Sequence, residues 1–160
     1  MARPGTVFGS RKPLTPAALV LCLAFVLFAQ ATLPAGASSG ATITGGGSTD
    51  TMTRFGIGIH DGRGHFECLM PALMTVEATV TAANVTGAGT AEFSGTAVIA
   101  LSAGNPFGYP AGPSPFGRGV PFKASVVAGG AGVGFEKLSF PTLGMDFPGT
   151  VEHGQISIRS

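Results

Sequence analysis

The chain has 160 residues, with 26 glycines, 12 prolines, 12 phenylalanines and no tryptophan. Nine basic and eight acidic residues give a formal net charge of +1, which lacks the strong positive excess of an electrostatic nucleic-acid binder. The length leaves room for one domain with its own hydrophobic core.

The N-terminal region has the organisation of a secretory signal peptide. Its head is positively charged, through Arg3, Arg11 and Lys12. An apolar run over residues 17–29 follows, and it is shorter than the roughly 20 residues that a membrane-spanning helix needs. Small residues at Ala35 and Ala37 then form the pattern that signal peptidase accepts. These features predict that residues 1–37 are a cleaved signal peptide.

Cleavage after Ala37 is the favoured site, cleavage after Ala31 is an alternative, and an uncleaved anchor is the less favoured interpretation. The mature chain is expected to be secreted, either periplasmic or extracellular, with no stable membrane span. Loss of the basic head leaves six basic against eight acidic residues, a formal charge of −2. This balance again argues against a nucleic-acid partner.

The mature chain is expected to form a single domain over residues 53–160. Residues 38–52 are rich in Gly, Ser and Thr, which predicts a flexible lead-in or a weak edge strand. Cys68 is the one cysteine left after cleavage, so no intrachain disulfide can form. Stability must therefore come from the packing of the core.

The first ordered element is predicted to be a β-hairpin. Apolar residues alternate with polar residues or glycine along two segments, at Phe55, Ile57, Ile59, Phe66, Cys68 and Met70. A four-residue loop would pair His60 with His65, whereas a two-residue turn at Asp61–Gly62 would pair Ile57 with Phe66. In either register the six apolar residues lie on one face, which predicts that Cys68 is buried.

Further strands are predicted from the same alternation, over residues 76–82, 91–101, 120–126, 134–140 and 155–159. Gly95 is expected to bend or bulge the longest of them. The apolar spacing of residues 69–74 suggests one short helical turn. Seven or eight short strands with frequent turns predict an all-β fold, either an antiparallel sandwich or a small barrel.

Residues 104–119 contain four prolines and are predicted to form a long loop that no regular strand could include. Long loops are often functional or disordered. Phe107, Tyr109 and Phe116 are therefore candidate ligand-binding residues, the alternative being that they pack against their own domain.

The outward face of the predicted hairpin carries a candidate metal site. His60 and His65 would be cross-strand neighbours in the four-residue-loop register, and Glu67 on the same face could add an oxygen ligand. The two-residue turn would separate the histidines and place His60 opposite Arg63. The alternative is an ordinary polar face in contact with water.

The order of several short motifs resembles a family of secreted bacterial β-domains described as post-COAP-type. The motifs are Gly64-His65-Phe66, Ala91-Glu-Phe-Ser-Gly95, Pro121-Phe122, Gly129-Gly-Ala-Gly132 and Gly154-Gln-Ile-Ser-Ile158. The resemblance implies an extracellular accessory domain without assigned chemistry. Ala128 stands where an aspartate commonly precedes the glycine pair in that family, so this chain lacks that carboxylate.

The sequence has no catalytic elbow, zinc-protease motif or phosphate loop, and we assign no catalytic residue and no cofactor. The favoured hypothesis is a secreted, non-enzymatic β-domain that serves as an extracellular accessory or interaction module, with an unknown protein or surface partner. One alternative is a small barrel that binds an apolar ligand inside. A metal-dependent hydrolase centred on the two histidines is the least favoured.

Overall fold

A computed structural model describes residues 40–160 of the chain, and these residues form eight β-strands. In chain order they are β1 (Thr42–Thr49), β2 (Arg54–His60), β3 (Arg63–Met70), β4 (Met74–Gly87), β5 (Thr90–Leu101), β6 (Gly112–Val127), β7 (Phe135–Phe140) and β8 (Met145–Arg159). The predicted signal peptide over residues 1–37 lies outside the described residues. None of the described residues belongs to a helix with the length and apolar character that a membrane crossing requires.

The eight strands form a closed antiparallel barrel in which each strand pairs with its neighbours in sequence. Pairing of β1 with β8, from Thr42 opposite Arg159 onward, completes the closure. The all-β prediction is confirmed, and of the two architectures considered the chain adopts the barrel. Closure satisfies the backbone hydrogen bonds that the outer strands of an open sheet leave exposed.

Alternate residues of each strand point into the barrel, as the two-residue period predicts. Three phenylalanine rings pack against one another in the interior. The ring centroids lie 5.7 Å apart for Phe66 and Phe93, 6.2 Å for Phe66 and Phe122, and 6.1 Å for Phe93 and Phe122. All three side chains are buried, so the protein's own side chains occupy this part of the barrel.

The β2–β3 hairpin has the two-residue turn. Ile57 is opposite Phe66, and His60 is opposite Arg63. Asp61 and Gly62 both have positive φ, 51° and 74°, the conformation that a tight type I′ hairpin turn requires. The alternation places six apolar residues in the core as predicted, Phe55, Ile57, Ile59, Phe66, Cys68 and Met70.

Of the two alternatives for residues 38–52, the flexible lead-in is wrong for most of the segment, whereas the strand is present but does not lie at an edge. Residues Thr42–Thr49 form β1, which pairs with β2 on one side and with β8 on the other. A glycine-rich segment has low intrinsic strand propensity, but two flanking partners supply its hydrogen bonds. The second set of these hydrogen bonds comes from the long C-terminal strand β8. Only the last five residues of β8 were predicted to be a strand.

The predicted loop over residues 104–119 is shorter than expected, because β6 already begins at Gly112. Two of the four prolines, Pro113 and Pro115, belong to this strand. Among the strands that the structure describes, residues 112–122 pair with β5 alone, since β7 joins β6 only from Lys123 onward. Proline is tolerated at positions where no neighbouring strand would accept a hydrogen bond from the backbone N–H.

Two smaller expectations have different outcomes. The predicted helical turn over residues 69–74 is wrong, because Met70 ends β3, a three-residue turn follows, and Met74 begins β4. The irregularity expected at Gly95 is present on the opposite strand, where the register shifts between Val80 and Ala82. Gly95 leaves room for this bulge, because a methyl group at that position would collide with the Thr79 backbone oxygen.

Candidate functional site

A groove of about 460 Å³ lies on the outer face of the barrel. Its polar side chains come from neighbouring strands, His65 and Glu67 from β3 and Glu77 from β4. Gly58 of β2 leaves the surface low on one side because it has no side chain, and the side chain of Glu67 lies over the neighbouring Gly56. We refer to this feature as the acidic groove.

Two glutamates dominate the acidic groove. Glu67 and Glu77 are direct cross-strand partners, and both side chains are exposed. Partners in an antiparallel pair have Cβ atoms about 4.5–5.5 Å apart, so two negative charges are held close together. Within residues 40–160 one ion pair is found, between Lys137 and Asp146. It joins β7 and β8, which do not neighbour β3 or β4 in the barrel. The two carboxylates are therefore available to a cation from outside the domain.

A second, smaller groove of about 220 Å³ adjoins the same glutamates. Arg54, Leu69 and Thr75 line its other side. Leu69 is 39% exposed, which is unusual for a leucine in a strand of this barrel. Glu67 and Glu77 thus stand between two depressions, one bordered by glycine and histidine and the other by an arginine and an apolar side chain.

The structure separates part of the candidate metal set. His65 is opposite Gly58 and His60 is opposite Arg63, so the histidines are not cross-strand partners. His65 and Glu67 remain on one face of β3, two residues apart. Within residues 40–160 no group of three or more His, Cys, Asp or Glu side chains is placed to hold a metal ion. Metal binding by His60, His65 and Glu67 stays a prediction.

Of the three candidate aromatic residues, Phe107 and Tyr109 lie in the β5–β6 connection and Phe116 lies near the start of β6. Phe107 and Phe116 are partly buried against the core, while Tyr109 is 46% exposed. The rings of Tyr109 and Phe116 meet edge to face, with centroids 6.0 Å apart. Asn105 holds the connection together, since its side-chain amide donates to the carbonyl oxygens of Ser102 and Tyr109 at 2.9 and 2.8 Å. Ligand binding here stays a prediction.

A second polar feature lies inside the barrel. Glu136 of β7 faces the interior in step with Leu138 and Phe140, and it is fully buried. Neither of its carboxyl oxygens has a hydrogen-bond partner among the described residues. Burial raises the pKa of this carboxyl group to about 8, because an apolar environment disfavours the charged form.

The charge of Glu136 affects the pKa of the Cys68 thiol. Burial raises the pKa of the thiol far above its ordinary value, and the negative charge of Glu136 raises it further. A hydrogen bond with the Val76 backbone lowers it by less. The thiolate is the reactive form of cysteine, so Cys68 is an unreactive core residue.

Sequence reasoning singled out His65 and Glu67 but missed Glu77 and Glu136 as site residues. Glu77 belongs to the strand predicted over residues 76–82, and only the pairing of β3 with β4 shows that it stands opposite Glu67. Glu136 had a usable signal, because it has the same parity as Leu138 and Phe140 and must point inward with them.

The fold and the site together define an eight-stranded antiparallel barrel with side chains packed in its interior and an acidic groove on its outer surface. Comparisons of the chain with protein-family models, with curated proteins and with solved structures gave no match.

Proposed function

We propose that the domain is a secreted, non-enzymatic interaction module that contacts an extracellular partner through the acidic groove. The observation that carries the proposal is the position of Glu67 and Glu77, directly opposed, exposed and shared by two adjoining grooves. The location rests on the predicted signal peptide, and the accessory role agrees with the resemblance to post-COAP-type domains.

The chemistry of the groove favours a partner with cationic side chains. Two neighbouring carboxylates repel each other, and a lysine or arginine side chain placed between them would relieve that repulsion. The low surface at Gly58 allows a partner's backbone to approach closely, whereas Gly56 is covered by the side chain of Glu67. A methyl group at Gly58 would meet nothing within 4 Å, so this part of the surface is open.

The alternative of an apolar ligand inside the barrel has less support. Phe66, Phe93 and Phe122 occupy the interior, and both grooves described above lie on the outer face. A ligand bound in this part of the interior would displace at least one of these rings.

The proposal is tested by NMR titration of the isotope-labelled protein with a tetralysine peptide, and with tetraglutamate as the charge control. We expect tetralysine to shift the amide signals of β2, β3 and β4 around the groove. Each of Glu67→Gln and Glu77→Gln should weaken binding by up to about fivefold, because an exposed ion pair contributes about 0.2–1 kcal/mol.

Glu92→Gln is the matched control, since Glu92 is exposed on β5 and lies outside both grooves. It should leave the affinity for tetralysine unchanged. Equal losses in all three variants, or shifts spread evenly over the barrel, would show nonspecific charge attraction and contradict the proposal.

A further inference from the structure

Among the buried polar side chains of the described barrel, Glu136 is the one that can ionise. The others, Thr49, Asn105 and Ser114, are neutral. The direct strand partners of Glu136 are Val126 on β6 and Gly149 on β8, and neither can neutralise or hydrogen-bond a carboxylate through its side chain. An unpaired carboxylate in such an environment is strongly disfavoured.

The inner faces of the other strands offer no cation either. All eight strands contribute apolar side chains to the core, and β3 also contributes the Cys68 thiol, whose pKa the charge of Glu136 raises. On β7 itself, the other inward-facing side chains are those of Leu138 and Phe140, and both are apolar and buried. Protonation is therefore the way in which this carboxyl group avoids the cost of its charge.

We propose that Glu136 is a proton-dependent lock of the barrel: with its proton the side chain is accepted in the apolar interior, and without it the closed barrel loses stability. The lock depends only on the interior of the barrel, and it is independent of any partner at the acidic groove.

The direction in which stability changes with pH follows from the pKa of Glu136 in the folded and unfolded states. The pKa of Glu136 is about 8 in the folded barrel, against an ordinary value of 4.5 when the chain is unfolded. Below pH 4.5 the group is protonated in both states and does not make the stability depend on pH. Between pH 4.5 and 8 only the unfolded state releases the proton, so the unfolding equilibrium constant rises by about tenfold per pH unit. Above pH 8 the loss levels off.

Equilibrium urea unfolding of the full-length protein at pH 5, 6, 7, 8 and 9 tests the lock at constant ionic strength. The reference is Glu136→Gln, which keeps the size and polarity of the side chain but cannot ionise. We expect the ratio of the unfolding constants, wild type over Glu136→Gln, to rise by about tenfold per pH unit up to pH 8. A ratio that is constant over this range would overturn the proposal.

Glu92→Gln is the matched control, because it removes an exposed glutamate and should give a ratio independent of pH. A direct measurement on the wild-type protein avoids any failure of Glu136→Gln to fold. In a carbon-13 NMR titration of the glutamate carboxyl groups, the signal of Glu136 should titrate near pH 8. Titration of every glutamate below about pH 6 would overturn the proposal.

Discussion

The side chain of Glu67 lies over Gly56, its direct partner on β2. A methyl group at Gly56 would come within 3.2 Å of both Cγ and Oε1 of Glu67. The side chain therefore leans toward β2 and away from Glu77, its partner on the other side. The missing side chain of a glycine thus lets two directly opposed glutamates coexist on the surface of the sheet.

Gly56→Ala should push Glu67 toward Glu77 and increase the repulsion between them. Gly58→Ala is the matched control on the same strand and face, where a methyl group meets nothing within 4 Å. We expect Gly58→Ala to stabilise the protein by about 0.4–1 kcal/mol, through the reduced entropy of the unfolded chain. Gly56→Ala should be less stable than Gly58→Ala by about 0.5–1 kcal/mol in urea unfolding at pH 7.

Addition of Glu77→Gln should remove most of that difference, because it removes one of the two charges. A difference that persists at full size in the presence of Glu77→Gln would show that steric crowding, and not charge, is responsible.

Phe66→Ala should destabilise the domain by about 3–5 kcal/mol, since it removes the ring that contacts both Phe93 and Phe122 in the interior. Leu69→Ala on the same strand is the control, because Leu69 is partly exposed on the outer face and should cost far less. Thermal or urea unfolding measures both. A loss below about 1 kcal/mol for Phe66→Ala would mean that the ring is not held in a packed core.

The hairpin turn depends on the positive φ of Asp61, 51°. A β-branched residue is strained in this conformation, so Asp61→Val should cost about 1–2 kcal/mol of stability. Asp61→Asn should be neutral or slightly stabilising, because asparagine is favoured at this position of a type I′ turn. Equal stability of the two variants would argue for a different turn and register.

Cys68 should resist thiol reagents at pH 8 as long as the barrel is folded, because burial and Glu136 keep the thiol protonated. In protein carrying Cys22→Ser, we expect labelling to be slower than that of an exposed thiol by roughly a hundredfold or more. Leu69→Cys, combined with Cys22→Ser and Cys68→Ser, provides the exposed neighbour for comparison. Similar labelling rates at the two positions would place Cys68 at the surface and contradict the register of β3.

Alternation of apolar residues was sufficient to predict the all-β class and most of the core. Phe55, Cys68, Val76 and Phe122 are buried because side chains two residues apart share a face, whatever the partner strand is. The same rule could have identified Glu136 as inward-facing, since it lies in phase with Leu138. Its polarity concealed this, because charged residues are almost never found buried.

Where periodicity failed, the missing information was the identity of the neighbouring strand. The glycines of β1 carry no apolar pattern, and the segment is a strand because β2 and β8 bind it from both sides. Pro113 and Pro115 fit into β6 because no strand pairs with that part of its second edge.

The sequence alone determined the all-β class, the face of the strand on which each apolar residue lies, and the burial of Cys68. These properties depend on local periodicity along one strand. The tertiary structure alone decided the closure of β1 onto β8, the separation of His60 from His65 and the meeting of Glu67 with Glu77. These depend on register between strands, and a shift of one residue in register changes which side chains meet without changing the composition of either strand.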